Sequence, residues 1–190
     1  MAETSIGDIF PDMTGPEAPI ISGIAHDSSE AMVTLRGIPD RPGRVTAVFN
    51  GLAEAGINID IIVQALAATD PDHAVADISI TFPESQLRKV QEFIDTHKDE
   101  LEYKTADVNT QIGKISLVGV GMKAHSGITA RFFQALSDES INVLMISTSE
   151  IRISAVVPLE DLTTAVRSVH TAFGLDAQTI EAVVYGGTGR

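Results

Sequence analysis

The chain has 190 residues, 44% hydrophobic and 21% charged, which is enough to bury one core or two small ones. Its formal net charge of −13 gives a field of the wrong sign for nucleic-acid phosphates or an anionic membrane, so neither partner is expected. There is no cysteine, no basic start followed by an apolar run, and no apolar stretch of the ~18 residues a membrane helix needs, so a soluble, cytoplasmic protein is expected.

Residues 1–19 contain Pro11, Gly15, Pro16 and Pro19 and read as a flexible leader. Ile20, Ile21 and Ile24 predict a short strand, ended by the polar run from His26 to Glu30. Beyond it the sequence repeats. At a shift of 84 residues Gly43 meets Gly127, Phe49 meets Phe133, Leu52 meets Leu136, Ile57 meets Ile141 and Asn58 meets Asn142. Further on the shift is 75, with Pro83 on Pro158 and Leu87 on Leu162. The difference places extra residues of the first copy around Ala68 to Ala74, where Asp70, Pro71 and Asp72 predict a hairpin loop.

Each copy predicts the same order of elements. Met32 to Arg36 and Lys114 to Val118 are rich in strand formers. A helix follows near Pro42 in the first copy, with Val45, Val48, Phe49 and Leu52 in one apolar stripe and Gly56 as its stop. Phe132, Phe133 and Leu136 form the matching stripe. Strands are predicted at Ile57 to Leu66 and Val75 to Phe82, and again at Ile141 to Ser147 and Ile151 to Val157. A second helix follows each proline, one carrying Leu87, Val90, Phe93 and Ile94, the other Leu162, Ala165, Val166, Val169 and Phe173. Last strands are predicted near Tyr103 to Val108 and Ala182 to Tyr185. The fold class is α+β: two βαββαβ ferredoxin-like units in tandem, each an antiparallel sheet with helices on one face. The expected domains are the leader 1–19, the extra strand with the first unit over 20–110, and the second unit over 111–190.

No catalytic constellation is found. The five histidines stand alone, with no HExxH and no GxSxG elbow. Gly186 to Arg190 lacks the ending and the following helix of a phosphate loop. No catalytic residue, metal or cofactor is therefore expected. The informative loops are those around the first helix. Asp40, Arg41, Pro42 and Gly43 lead into a helix N-terminus, whose free N–H groups favour a carboxylate. Asn58, Asp60 and Gln64 follow on the next strand, offering amide hydrogen bonds and a charged acceptor for an ammonium. Two readings stay open on the residues alone: a site for a free amino acid, or turn and cap residues with no ligand.

The βαββαβ unit with Asp40–Gly43 and the run Ile57 to Asp60 resembles the ACT domain, an amino-acid-sensing module. The segments from Lys114 to Met122, from Ile146 to Ser154 (ISTSEIRIS) and from Glu181 to Arg190 resemble the C-terminal regulatory part of aspartate kinase. They are most similar to the type whose regulatory subunit also occurs as a short separate chain. The KFGGT-type segment of the kinase domain is missing. The resemblance therefore implies a regulatory subunit, not an enzyme by itself, that mediates feedback inhibition of a catalytic aspartate kinase chain. It implies ACT-mediated homodimers, a heterotetramer with that chain, and threonine and lysine as allosteric ligands bound at interfaces between ACT units. The extra strand is expected to join one of the sheets, because family members interlace the two units.

Carried over by position, a threonine-like site would use Asp40, Asn58, Ile59, Asp60 and Gln64. A lysine-like site would use Ile128, Thr129, Asn142, Val143, Thr148 and Ser149. The second copy departs from the family pattern, which has Glu or Asp where this chain has Leu144, opposite Asp60 in the repeat. A lysine ammonium there would lose a charged hydrogen bond of ~1.5–3 kcal/mol, so the expectation is firmer for threonine. A stand-alone ACT amino-acid sensor and an assembly module for another enzyme are the alternatives.

Overall fold

The computed structural model describes residues 20–68, 74–120 and 126–175. The chain forms two compact units, one from Ser29–Ile112 and the other from the segment up to Ser28 together with the segment from Gly113 onward. The first strand, β1 (Ile20–Asp27), belongs to the second of these.

The Ser29–Ile112 unit runs β2 (Glu30–Pro39), α1 (Arg44–Glu54), β3 (Ile62–Ala68), β4 (Val75–Pro83), a 3-10 turn (Glu84–Gln86), α2 (Leu87–Thr96), α3 (Lys98–Leu101) and β5 (Thr105–Asn109). Its sheet has the order β3-β4-β2-β5, with every neighbour antiparallel. Alternation along β2 and β4 puts Ala31, Val33, Leu35, Ile78, Ile80 and Phe82 on one face. Val48 and Leu52 of α1 and Val90, Phe93 and Ile94 of α2 close over that face to make the core. A Cβ at Gly51 would lie 2.5 Å from the Phe93 ring, so a glycine is what lets α1 approach α2 this closely.

The other unit runs β6 (Ile112–Val120), α4 (Ser126–Asp138), β7 (Met145–Thr148), β8 (Arg152–Pro158), a 3-10 turn (Leu159–Asp161) and α5 (Leu162–Ala172), with β1 added. Its sheet order is β1-β6-β8-β7. Ile115, Leu117, Ile153, Ala155 and Val157 meet Ile128, Phe132, Leu136, Ala165, Val169 and Phe173 in its core.

The repeat is visible in individual hydrogen bonds. Ile57 N–H donates to the Leu52 carbonyl at 3.0 Å, and Ile141 N–H donates to Leu136 at 3.0 Å. Asp60 N–H donates to the Thr81 carbonyl at 3.1 Å, and Leu144 N–H donates to Val156 at 2.7 Å. Thr34 and Ser79 hydroxyls pair at 2.8 Å, as do those of Ser116 and Ser154.

Three expectations need correction. The extra strand belongs with the second unit and not with the first, as 20–110 would have it. β1 pairs antiparallel with β6 from Ile20↔Val120 to Asp27↔Lys114, filling beside β6 the place that β5 fills beside β2. The predicted strands from Ile57 and Ile141 start later, at Ile62 and Met145. Their first amides are used elsewhere: Ile57 and Ile141 close the preceding helices, and Asn58 N–H donates to the Gln86 side-chain oxygen at 2.8 Å. The helix near Pro42 starts at Arg44, with Gly43 at φ 92° before it. The leader 1–19, the Asp70–Asp72 hairpin loop and the strand at Ala182 to Tyr185 lie outside the described residues. Among the described residues no helix is long and apolar enough to cross a membrane.

Candidate functional site

The loop after β2 is held on several sides. Asp40 N–H donates to the Ala74 carbonyl at 2.9 Å, and Arg41 N–H turns back to Pro39 at 3.0 Å. Just before it, Gly37 takes a left-handed φ of 71° and donates its N–H to Asp77 Oδ1 at 2.9 Å. Arg36 donates from Nε to Asp107 at 2.6 Å and from Nη1 to Asp77 at 3.3 Å, tying β2 to both neighbouring strands. The Asp107 hydrogen bond and charge hold the Arg36 guanidinium above its ordinary pKa. The loop thus sits on a braced end of the sheet, with the Asp40 side chain exposed.

At the other end of the sheet lies the entrance to β3. Ile61 N–H donates to the buried Thr81 hydroxyl at 3.0 Å, and Asp60 N–H to the Thr81 carbonyl. Asn58 and Asp60 are exposed and Ile59 is half-buried, packed against the core. Gln64 lies between the two ends, opposite Ile78 on β4. It shares the helix-covered side of the sheet with Ile62 and Leu66, yet β3 is an edge strand and these are 51% and 60% exposed.

The structure therefore does not gather the five residues at one point within a unit. Asp40 is anchored at Ala74 and Asp60 at Thr81. Along an extended strand at ~3.3 Å per residue those anchors are ~23 Å apart. That is several times the length of an amino acid. Asp40 lies at one end of the sheet beside the start of β4, Asn58 and Asp60 lie at the other end, and Gln64 is in the middle of the edge strand.

The second unit repeats the arrangement with different chemistry. Asn142 is exposed and Val143 half-buried at the entrance to β7, and Thr148 and Ser149 are exposed at its far end. Ile146 and Thr148 face the helix side, opposite Ala155 and Ile153, as Ile62 and Gln64 do at the shift of 84. Leu144 in the place of Asp60 is 43% exposed, so the edge presents an apolar group where the first unit presents a carboxylate. Thr129 is half-buried on α4. The Ile128 side chain is fully buried in the core. Only its backbone N–H, in the first turn of α4, remains for a ligand.

Sequence reasoning missed two supports. The Thr81 hydroxyl, which fixes the entrance to β3, has Val156 as its counterpart in the second copy. Glu102 bonds both arginines that flank Pro42 and Gly43. No spacing rule links positions so far apart in the chain.

Comparison with known proteins follows the same lines. Residues 115–173 match a family described as the ACT domain. The aspartokinase of Corynebacterium glutamicum is 43% identical over 187 residues, covering 98% of this chain but 44% of that protein, so the chain spans less than half the length of that curated relative. The ligand-free regulatory subunit of aspartate kinase from Thermus thermophilus is 36% identical with a TM-score of 0.73, covering 80% of this chain and 98% of that one. A chain from a crystal structure of aspartokinase alpha and beta subunits is 33% identical with a TM-score of 0.73, covering 81% of this chain and 99% of that one. Sequence and fold agree over nearly the whole of a regulatory subunit, and the chain belongs to the aspartokinase family, matching its regulatory ACT part.

Proposed function

We propose that this chain is a regulatory subunit that binds threonine and transmits feedback inhibition to a catalytic aspartate kinase chain, without catalysis of its own. The observation that carries the regulatory assignment is the 98% coverage of a stand-alone regulatory subunit by this chain. The separation of Asp40 from Asp60 adds how a ligand would be held. A second copy lying antiparallel along an exposed edge strand would bring the loop end of one edge beside the entrance end of the other. The first-turn N–H groups of a helix would then take the amino-acid carboxylate, and the carboxylates and amides of the edges would take its ammonium and hydroxyl. The exposed Ile62, Leu66 and Ile146 supply the apolar part of such a contact.

The resulting oligomer is a homodimer through ACT units, extended to a heterotetramer by the catalytic chain in the cytoplasm. Effector binding moves the kinase only through its different affinity for two arrangements of the assembly, and a coupling of about 1–3 kcal/mol gives roughly 5- to 150-fold control. Lysine is the weaker candidate ligand, because Leu144 offers its side-chain ammonium no charge. Asp60→Ala is expected to abolish threonine binding in calorimetry while leaving the melting temperature within a few degrees of wild type. Undiminished threonine affinity in that variant removes Asp60 from the site.

A further inference from the structure

The Asp40 loop is fastened from outside by one side chain. Glu102 follows α3 with left-handed backbone angles, φ 55° and ψ 25°. Its own N–H donates to the Lys98 carbonyl at 3.0 Å. Its Oε2 accepts from Arg41 Nη2 at 2.5 Å, and its Oε1 forms an ion pair with Arg44 Nη2 at 2.8 Å. Arg44 Nη1 also donates to the Glu100 carbonyl at 2.5 Å. One carboxylate thus holds an arginine on each side of Pro42 and Gly43. On the far side of Arg41 the backbone is held through Asp40 N–H and Ala74. The loop is gripped at both ends while the Asp40 carboxylate stays exposed.

Surface ion pairs such as Arg41–Glu102 contribute little to folding stability, and Arg44, 21% exposed, is only partly covered. Their effect on the loop is different in kind, because both arginines come from the segment that carries Asp40 and the start of α1. Holding that segment in one conformation removes an ordering cost that a ligand would otherwise meet on binding. Among the described residues the second unit does not repeat the Arg44 part of the device: Ile128 stands opposite Arg44 in the repeat and is buried in its core.

We propose that Glu102 is a positioning residue for the effector site, pre-ordering the loop Asp40–Gly43 through Arg41 and Arg44. This rests on the reading of that loop as part of a threonine site. The left-handed backbone makes a clean test possible, since glycine adopts it more readily than glutamate. Glu102→Gly removes the carboxylate and relaxes the turn together. Glu102→Gln keeps the size and the backbone demand but loses the charge.

The experiment is calorimetric titration of the full chain with threonine, alongside hydrogen exchange at the amides of Asp40, Arg44 and Ala47. The expected result for Glu102→Gly is a threonine Kd raised about fivefold and loop exchange faster by a similar factor, with an unchanged or higher melting temperature. Glu102→Gln is expected to weaken binding in the same direction. A purely structural role would lower the melting temperature and leave Kd alone. Threonine affinity within about twofold of wild type in Glu102→Gly overturns the proposal, whatever the exchange shows. A wild-type chain that binds no threonine overturns the effector reading itself, and the positioning role falls with it.

Discussion

The contrast between Thr81 and Val156 is one methyl for one hydroxyl, and it decides how firmly an edge strand begins. In the first unit the Thr81 oxygen takes the Ile61 N–H at 3.0 Å in a fully buried position. Replacing it by valine leaves that amide without its acceptor, which costs about 1–3 kcal/mol for a buried group. Thr81→Val is therefore expected to lower stability by that amount in denaturant unfolding and to weaken threonine binding, since Asp60 is the preceding residue. An unchanged unfolding midpoint would show that water replaces the hydroxyl. Asp40, Asn58, Asp60 and Gln64 were legible as candidates because their types and spacing suit an amino acid. Their positions toward opposite ends of the sheet were not legible, because only strand register fixes them. Ile128 shows what position alone leaves out: its side chain turns into the core, so any contact with a ligand would run through its backbone N–H.

At the scale of elements, the helices were the most legible, because an apolar stripe at helical spacing has one way to be buried. Val48, Leu52, Phe132 and Leu136 are all buried as the stripe requires. Strand starts were less legible, because residues 57–61 have the composition of a strand while their amides bond to a helix end, a glutamine and a threonine. The helix exits match across the repeat even where the residue differs. Gly56 has φ 64° and its counterpart Ser140 has φ 59°. A serine is strained there and a glycine is not. Ser140→Gly is expected to stabilise the second unit by about 1 kcal/mol, read as a higher unfolding midpoint. A lower midpoint would mean that the Ser140 side chain makes a compensating interaction.

For the whole molecule, the internal repeat was the signal that led to two sandwiches, while the family came from the motifs Asp40–Gly43, Ile57–Asp60 and Ile146–Ser154. What the repeat could not show was where β1 pairs: its partners on β6, from Asp27↔Lys114 to Ile20↔Val120, lie 87 to 100 residues further along the chain. A short strand has no intrinsic partner; the open side of β6 selects it. The same logic applies to the strands still at an edge. β3 and β7 carry exposed apolar residues next to amide and hydroxyl groups, a composition suited to covering by a second copy with a small polar ligand between. If the effector site is divided in this way, ligand binding and association are one equilibrium, and each must strengthen the other by the same factor.

Sedimentation of the purified chain over a range of protein concentrations, with and without saturating threonine, tests that claim most directly. The account predicts that threonine shifts the chain toward the dimer and that its apparent affinity rises with protein concentration. Threonine bound with one affinity at every concentration, by a chain that stays monomeric, would contradict it.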